Sequence, residues 1–391
     1  MRNDVALVDV CYSQATRHGN QSLGELALDA CRKVIASSGL RVEDIDGICN
    51  YPSPSRIGAG SQDGVDFVGV DFISRGLQLT NLRWEASITD GTIAACVVQA
   101  MNAIAAGTCE TVLVWRGMHH PQGKFGAFTS THVPGAAQFE APYGLASYVM
   151  NFAFAYSEYM AKYGAKREHL GTYVVNSRLN GSINPDSIFF GKPLTMEQYM
   201  AARMIAEPLS LLDCDMPVDC CGAIIVTTAE RAKDLCAKPV HIVGGATGGS
   251  RLHHSPIITL DAHRQSGQVV ANALWKNTGL SAKDMDFANL YDGFAYFIYM
   301  WLELLGFCKY GEAFEYIQDG RIALEGAMPL NPSGGAAGMG RLHGTPHLFE
   351  AVLQLQGRAG ERQLRKANTT VVTTGSPCTH NGVLVLSNAW P

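Results

Sequence analysis

Between Gly334 and His347 the chain places five glycines, Gly334, Gly335, Gly338, Gly340 and Gly344, and three ionisable side chains, Arg341, His343 and His347. Glycine admits positive φ and lets backbone approach a ligand closely, at an entropic cost that a plain connector does not justify. The same glycines also suit a tight loop packed against a neighbouring strand. His343 and His347 are four apart, so on a helix they would share a face, but two imidazoles are too few ligands to hold a metal. A second candidate stretch is LYDGF, where a short strand turns at Tyr291-Asp292-Gly293 into an aromatic helix and a phenol can reach a pocket. The competing role for Tyr291 is an aromatic core residue beside Tyr296, Phe297 and Tyr299. A phenol, a guanidinium and imidazoles together offer proton transfer and the holding of negative charge.

Alternating strands and helices must position these groups. Val5 to Val10 reads as a strand, Leu23 to Ser38 as an amphipathic helix, and Ile45 to Asn50 as a strand, a β-α-β beginning. Asn81 to Gly117 reads as strand, sharp turn at Thr89-Asp90-Gly91, small-residue helix from Thr92 to Ala106, and strand. Asp90 is first of all an N-cap for that helix. Residues of about 118–206 are irregular and read as an insertion that covers something, and CGAIIVTT closes a first half at residues 1–235. The second half, residues 236–391, runs through a strand at Val240 to Gly244, a helix near Gln268 to Gly279, LYDGF, the glycine-rich loop with its helix, and a terminal strand pair. The whole is α/β.

With 391 residues, 47% of them hydrophobic and 17% charged, the chain can bury a large core. A formal charge of −5 with no basic run excludes an electrostatic case for nucleic acid. No window reaches the roughly 18 apolar residues of a membrane span, and the N-terminal apolar segment is too short for a signal-peptide core, so a cytoplasmic protein is expected. Eleven cysteines occur without zinc-ligand pairing and without a CxxC, as buried reduced thiols do.

The strand-turn-helix near position 90, DCCGAIIV, NPSGGAAG and the terminal strand pair resemble the thiolase superfamily. FFGKPLTMEQY, MIAEPLSLLDC, LYDGF, LELLGFCKYGEAFEYIQDG, MPLNPSGG and LHGTPHLFEAVLQLQG are most similar to its steroid side-chain-cleaving acyl-CoA aldolases, a branch also described as lipid-transfer proteins. The resemblance implies a thiolase fold: two βαβαβαββ-type halves in a five-layered αβαβα arrangement with an inserted loop region. It also marks departures. The position of the thiolase nucleophilic cysteine is Asp90, and that of the second cysteine falls near Thr374, with Cys378 four residues on. The thiolase-like histidine maps onto Arg341 without gaps and onto His343 with a two-residue gap. Of the two tyrosines of the aldolases, Tyr291 keeps one and Arg341 replaces the other.

What the resemblance implies for function is retro-aldol cleavage of a β-hydroxyacyl-CoA with a bulky, steroid-like acyl group, coenzyme A thioester being substrate and no cofactor being bound. Such cleavage needs a base and donors for the enolate, but no covalent nucleophile. Tyr291, Arg341 and His343 are the expected catalytic residues: a phenolate favoured by Arg341, a guanidinium for the enolate or a substrate carboxylate, and an imidazole donating to the thioester oxygen. Asp90, His380, Gly334, Gly335 and Lys124 are the expected substrate-binding residues. Among them Asp90 is a minority candidate for the base, and Lys124, with Arg178, a phosphate contact. His253 and His254 can line the same cavity. The resemblance further implies a homodimer through the first-half sheet and a small OB-fold partner of the DUF35 type, often carrying a zinc ribbon, in a heterotetramer. The alternative is a catalytically silent subunit that binds acyl-CoA or lipid and scaffolds such a partner. A third possibility, acyl transfer through another nucleophile, requires a reactive Cys378.

Overall fold

A computed structural model describes residues 5–17, 19–52, 68–88, 92–119, 138–139, 141–145, 147–249, 259–379 and 381–389. The first half contributes strands β1 (Val5–Tyr12), β2 (Gly47–Asn50), β3 (Trp84–Ser87) and β4 (Thr111–Met118), with helices α1 (Leu23–Ser37), α2 (Val70–Leu77) and α3 (Ile93–Ala105) between them. Helices α4 (Tyr148–Tyr163), α5 (Arg167–Ser182) and α6 (Met196–Met200) and a small hairpin, β5 (Met204–Ala206) with β6 (Leu209–Ser210), come next in the chain. Strand β7 (Cys220–Thr228) and α7 (Ala229–Leu235) follow. The second half runs β8 (Val240–Gly248), α8 (Leu260–Thr278), β9 (Phe287–Asn289), α9 (Phe297–Leu304), α10 (Ala313–Tyr316), α11 (Gly335–Met339), α12 (Thr345–Gln356), β10 (Thr369–Thr373) and β11 (Asn381–Ser387).

Among the described residues nine strands form one sheet in the order β3-β2-β4-β7-β1-β8-β11-β10-β9. The order is mirrored about its middle. Strand β7 runs antiparallel to both β4 and β1, and β11 runs antiparallel to both β8 and β10, while β2 is parallel to β3 and β4, and β9 is parallel to β10. The halves join where β1 meets β8, through Ala6 opposite His241 and Leu7 opposite Val240.

Among the described residues, the three larger of four buried clusters make this a five-layered stack. Strand residues alternate between faces, so Val112 and Val114 of β4 and Ile224 and Val226 of β7 face one cluster with α3 and α12, together with Ile242, Phe287, Val372 and Leu384 of the second half. Leu113, Trp115, Ala223 and Ile225 face the outer helices α1 and α2. On the far side α4, α5, α8 and α9 cover the second half. Burial on both faces is why β4 and β7 read as largely apolar runs.

Two sequence expectations shift. Helix α3 is capped by Thr92, whose hydroxyl accepts from the Ala95 N–H at 3.3 Å, so the cap stands two residues beyond Asp90, which itself lies outside the described residues. Helix α8 starts at Leu260, well before the apolar spacing announced it, because Thr259 caps it by accepting from Ala262. Among the described residues no helix is long and apolar enough to cross a membrane.

Candidate active site

The site is built around the turn between β9 and α9. Asn331, held at a φ of 47°, accepts from the Leu290 N–H at 2.7 Å and donates back to the Leu290 carbonyl at 2.8 Å. Its amide also donates to the Tyr173 hydroxyl at 2.7 Å. The asparagine of NPSGG thereby clamps the residue before Tyr291. Asp292, fully buried, has both oxygens filled: Oδ1 accepts from the Ala336 N–H at 2.6 Å and meets His347 Nε2 at 2.8 Å, while Oδ2 accepts from the Ala337 N–H at 3.0 Å and the Tyr173 hydroxyl at 2.6 Å. A carboxylate at the first turn of α11 satisfies N–H groups that have no partner inside the helix.

The close approaches of the expected glycines are made to protein. A Cβ on Gly335, whose φ is 60°, would run into the Asp292 carboxylate, and Gly334, whose φ is 100°, lies against the backbone of Ser177 and Gly181 on α5. Ser177 also donates to the Gly334 carbonyl. Both glycines are buried, and what they position is Asp292 rather than a surface open to solvent.

Arg341 and His343 come together just before α12. His343, at a φ of 43°, takes Arg341 Nε at 3.1 Å and Nη2 at 2.8 Å on its Nε2, and its Nδ1 lies 3.0 Å from Nη2 of Arg116. Arg116 projects from β4, donates to the Tyr51 carbonyl at 2.6 Å and stacks 4.1 Å over the Tyr51 ring. Burial lowers the pKa of this guanidinium from its ordinary value. Both ring nitrogens of His343 thus face cations that only donate, and the geometry makes His343 a spacer between two arginines. The thioester-donor role expected of it does not fit that arrangement. His343 precedes the helix and His347 lies inside it, so the two do not share a helical face.

Tyr291 is 8% exposed, with its ring centroid 5.7 Å from that of His347. Its N–H donates to Thr373 Oγ1 at 2.8 Å, which ties the turn to β10. Burial first, and then the charge of Asp215, push its phenol above the usual tyrosine range, and Arg341 opposes them without prevailing. The expected phenolate is therefore corrected to a neutral phenol, because desolvation outweighs the neighbouring cation. Asp215, in the stretch before β7, was not anticipated. It is buried, its Oδ1 lies 3.6 Å from Arg341 Nη1, and burial pushes its carboxyl up to about 7.

Thr374 occupies the neighbourhood of the second thiolase cysteine and is buried, with its hydroxyl donating to Thr92 at 2.7 Å and accepting from the Ala94 N–H at 3.2 Å. Cys378 is 3% exposed and burial pushes its thiol up to about 12. Cys96 lies buried within α3, its thiol also raised by burial. Arg178 stacks 3.5 Å over the Phe189 ring. Asp90, Lys124, His253, His254 and His380 lie outside the described residues. Among the described residues no cluster of three or more His, Cys, Asp or Glu can hold a metal. A groove of about 1140 Å³ between α1, the end of β1 and the segment after α12 is lined by none of Tyr291, Arg341, His343 or Asp215.

Of the residues missed, Arg116 left a signal: a lone arginine in the apolar run TVLVWRGM has to be buried and partnered. Asp215 left only the acidic stretch DCDMPVDCC.

Residues 244–388 match the thiolase C-terminal domain-like family. The chain is 32% identical to a 17-hydroxy-3-oxo-4-pregnene-20-carboxyl-CoA lyase of Mycobacterium tuberculosis, over 96% of this chain and 99% of that protein. It is 30% identical to a steroid side-chain-cleaving aldolase of Thermomonospora curvata, over 97% of each. Among solved structures, an Ltp2-ChsH2(DUF35) aldolase superposes with a TM-score of 0.86 at 28% identity, covering 98% of both chains. Human mitochondrial 3-ketoacyl-CoA thiolase, at 15% identity and a TM-score of 0.68 over 99% of both chains, shares the fold.

Proposed function

The chain belongs to the thiolase superfamily, in the branch of the steroid side-chain-cleaving aldolases, and from that premise we propose that it is a C–C lyase cleaving a β-hydroxyacyl-CoA with a bulky hydrophobic acyl group. The observation that carries this reading is the meeting of Tyr291 and Arg341, from separate segments, around the buried Asp215. Retro-aldol cleavage needs a proton donor for the enolate carbon and a cation for the enolate oxygen. Tyr291, held as a phenol, supplies the first, and Arg341 supplies the second, with His343 and Arg116 fixing the guanidinium plane.

No covalent intermediate on sulfur enters this scheme. Burial raises the thiols of Cys96 and Cys378, and a thiol needs the opposite shift to act as nucleophile at neutral pH. The solved aldolase of similar structure pairs with a DUF35 protein, and a partner of that type belongs to the proposal, in a heterotetramer built on a homodimer. Among the described residues strand β3 ends the sheet, an outer edge suited to pairing with a second copy. The binding roles of Asp90, Lys124 and His380 are part of the same proposal.

The test is purification with a genomically adjacent DUF35-type protein, incubation with β-hydroxyacyl-CoAs of increasing ring size, and mass detection of released acetyl-CoA or propionyl-CoA. Release that falls about 10²–10⁴-fold in Tyr291→Phe, the range for loss of a positioned acid, supports the lyase. A complex that binds acyl-CoA and releases nothing across the panel supports the silent scaffolding subunit instead.

A further inference from the structure

Two buried carboxylates share this site, and they are treated in opposite ways. Asp292 has four donors on its two oxygens. Asp215 is 4% exposed, and neither of its oxygens has a hydrogen-bond partner among the described residues. The cation facing it, Arg341, stands at 3.6 Å, beyond direct hydrogen bonding. A buried carboxylate with an ion-pair neighbour but no hydrogen bond is costly, and it calls for a water, a ligand or a reaction that uses it.

Its placement is fixed by main chain on two sides. The Asp215 N–H donates to the Gly293 carbonyl at 3.1 Å, and the Arg341 N–H donates to Met216, the next residue, at 2.8 Å. Pro217 continues the parallel bridge to Arg341. Three residues of the first half are thus stitched to both the Tyr291 turn and the arginine, and the bare carboxylate sits between them.

We propose that Asp215 is the general base of the cleavage, accepting the proton of the substrate's β-hydroxyl; the proposal rests on the lyase reading above. The hydroxyl O–H bond breaks with its proton passing to Asp215, and the freed pair becomes the carbonyl π bond of one product. The Cα–Cβ bond breaks, and its pair forms the enolate of the shorter acyl-CoA, with negative charge on the thioester oxygen beside Arg341. Tyr291 gives its proton to Cα, and the proton on Asp215 returns to the Tyr291 oxygen. No proton or electron is left over. Among the described residues the other candidates are committed elsewhere: Asp292 is saturated, His347 Nε2 is on Asp292, His343 lies between arginines and Tyr291 is a phenol.

Burial, opposed by Arg341 and reinforced by Asp292, sets the carboxyl near 7. Tyr291 faces it from the turn, and Asp213 and Cys214 adjoin it on its own segment. A base in this range is matched to neutral operation.

The experiment is the pH dependence, from pH 5.5 to 9.5, of acyl-CoA release by the wild-type complex, Asp215→Asn and Asp215→Glu, with acyl-CoA affinity measured on each. The expected result is a wild-type acidic limb near pH 7, a fall in kcat of about 10²–10⁴-fold in Asp215→Asn with affinity within about threefold, and partial activity in Asp215→Glu with the limb displaced. Asp215→Asn within about tenfold of wild type and keeping the same limb overturns the proposal. Should Asp215→Asn fail to fold, an unmoved limb in Asp215→Glu overturns it equally. A wild-type complex that binds acyl-CoA and cleaves nothing overturns the lyase reading, and the base with it; cleavage by wild type with an indifferent Asp215→Asn overturns the base alone.

Discussion

Gly181 on α5 and Gly338 on α11 meet backbone to backbone: a Cβ on Gly181 would overlap the Gly338 carbonyl, and a Cβ on Gly338 would overlap the carbonyl of Ser177. This contact presses α11 into the position from which its first N–H groups reach Asp292. Gly181→Ala has no flexible neighbour to displace, so it should cost at least about 1–3 kcal/mol, the usual penalty of overpacking. A lowered urea midpoint at unchanged slope checks it.

Asp215→Asn should separate stability from activity. The folded carboxyl ionises near 7 against an ordinary value of 3.8, so the fold favours the neutral form. That preference stabilises fully below about pH 4 and is lost as pH rises through about 7. Asparagine imitates the neutral carboxyl, so the variant should match wild type near pH 4 and exceed it at pH 8 by an amount on the order of a few kcal/mol. Thermal unfolding at the two pH values gives the difference, and equal stabilities at pH 8 would contradict the burial argument.

Arg341→Gln removes the cation that pulls Asp215 down. The acidic limb of the rate profile should therefore move to higher pH, by about one unit or more, on top of a fall in kcat of about 10²–10³-fold from the lost enolate contact. Arg341→Lys should keep the limb while losing the two-nitrogen contact with His343.

Cys378 should resist alkylation. Its thiol is buried and raised to about 12, so iodoacetamide at pH 8 should leave it unmodified in the native protein and modify it after unfolding. Cys378→Ser should retain acyl-CoA release. Rapid native labelling coupled to loss of activity would reinstate an acyl-transfer mechanism.

The apolar periods of β1, β4, α1 and α3 were legible because each element has one local reason to form: two buried faces for the strands, repeated apolar spacing or small residues for the helices. Tyr291 and Arg341 were singled out through flanking motifs, and the fold brings both to Asp215. What escaped was electrostatic state. Arg341 beside Tyr291 reads in sequence as a phenolate-maker, yet how far burial opposes it depends on Thr373, Phe297 and Asp215, which lie 82, 6 and 76 positions from Tyr291. Asp215 was invisible for the same reason. An acidic residue shows itself in sequence only by what it caps or pairs with nearby, and Asp215 is identified by the hydrogen bonds it lacks. The glycine run was read as serving either a ligand or a tightly packed loop, and the closeness at Gly334, Gly335 and Gly338 serves α5 and Asp292.

The seam between β1 and β8 has a consequence for how the molecule comes apart. Among the described residues only Ala6 and Leu7 pair with His241 and Val240 there, yet α3 and α12 pack across strands of both halves, and Asp215 from one half is bonded through its backbone to Gly293 and, at Met216, to Arg341 of the other. Neither half can loosen while the site survives. Amide protons along the seam exchange with solvent through opening of the entire molecule rather than through local fraying, so proton exchange at Leu7 and loss of catalysis report the same cooperative event.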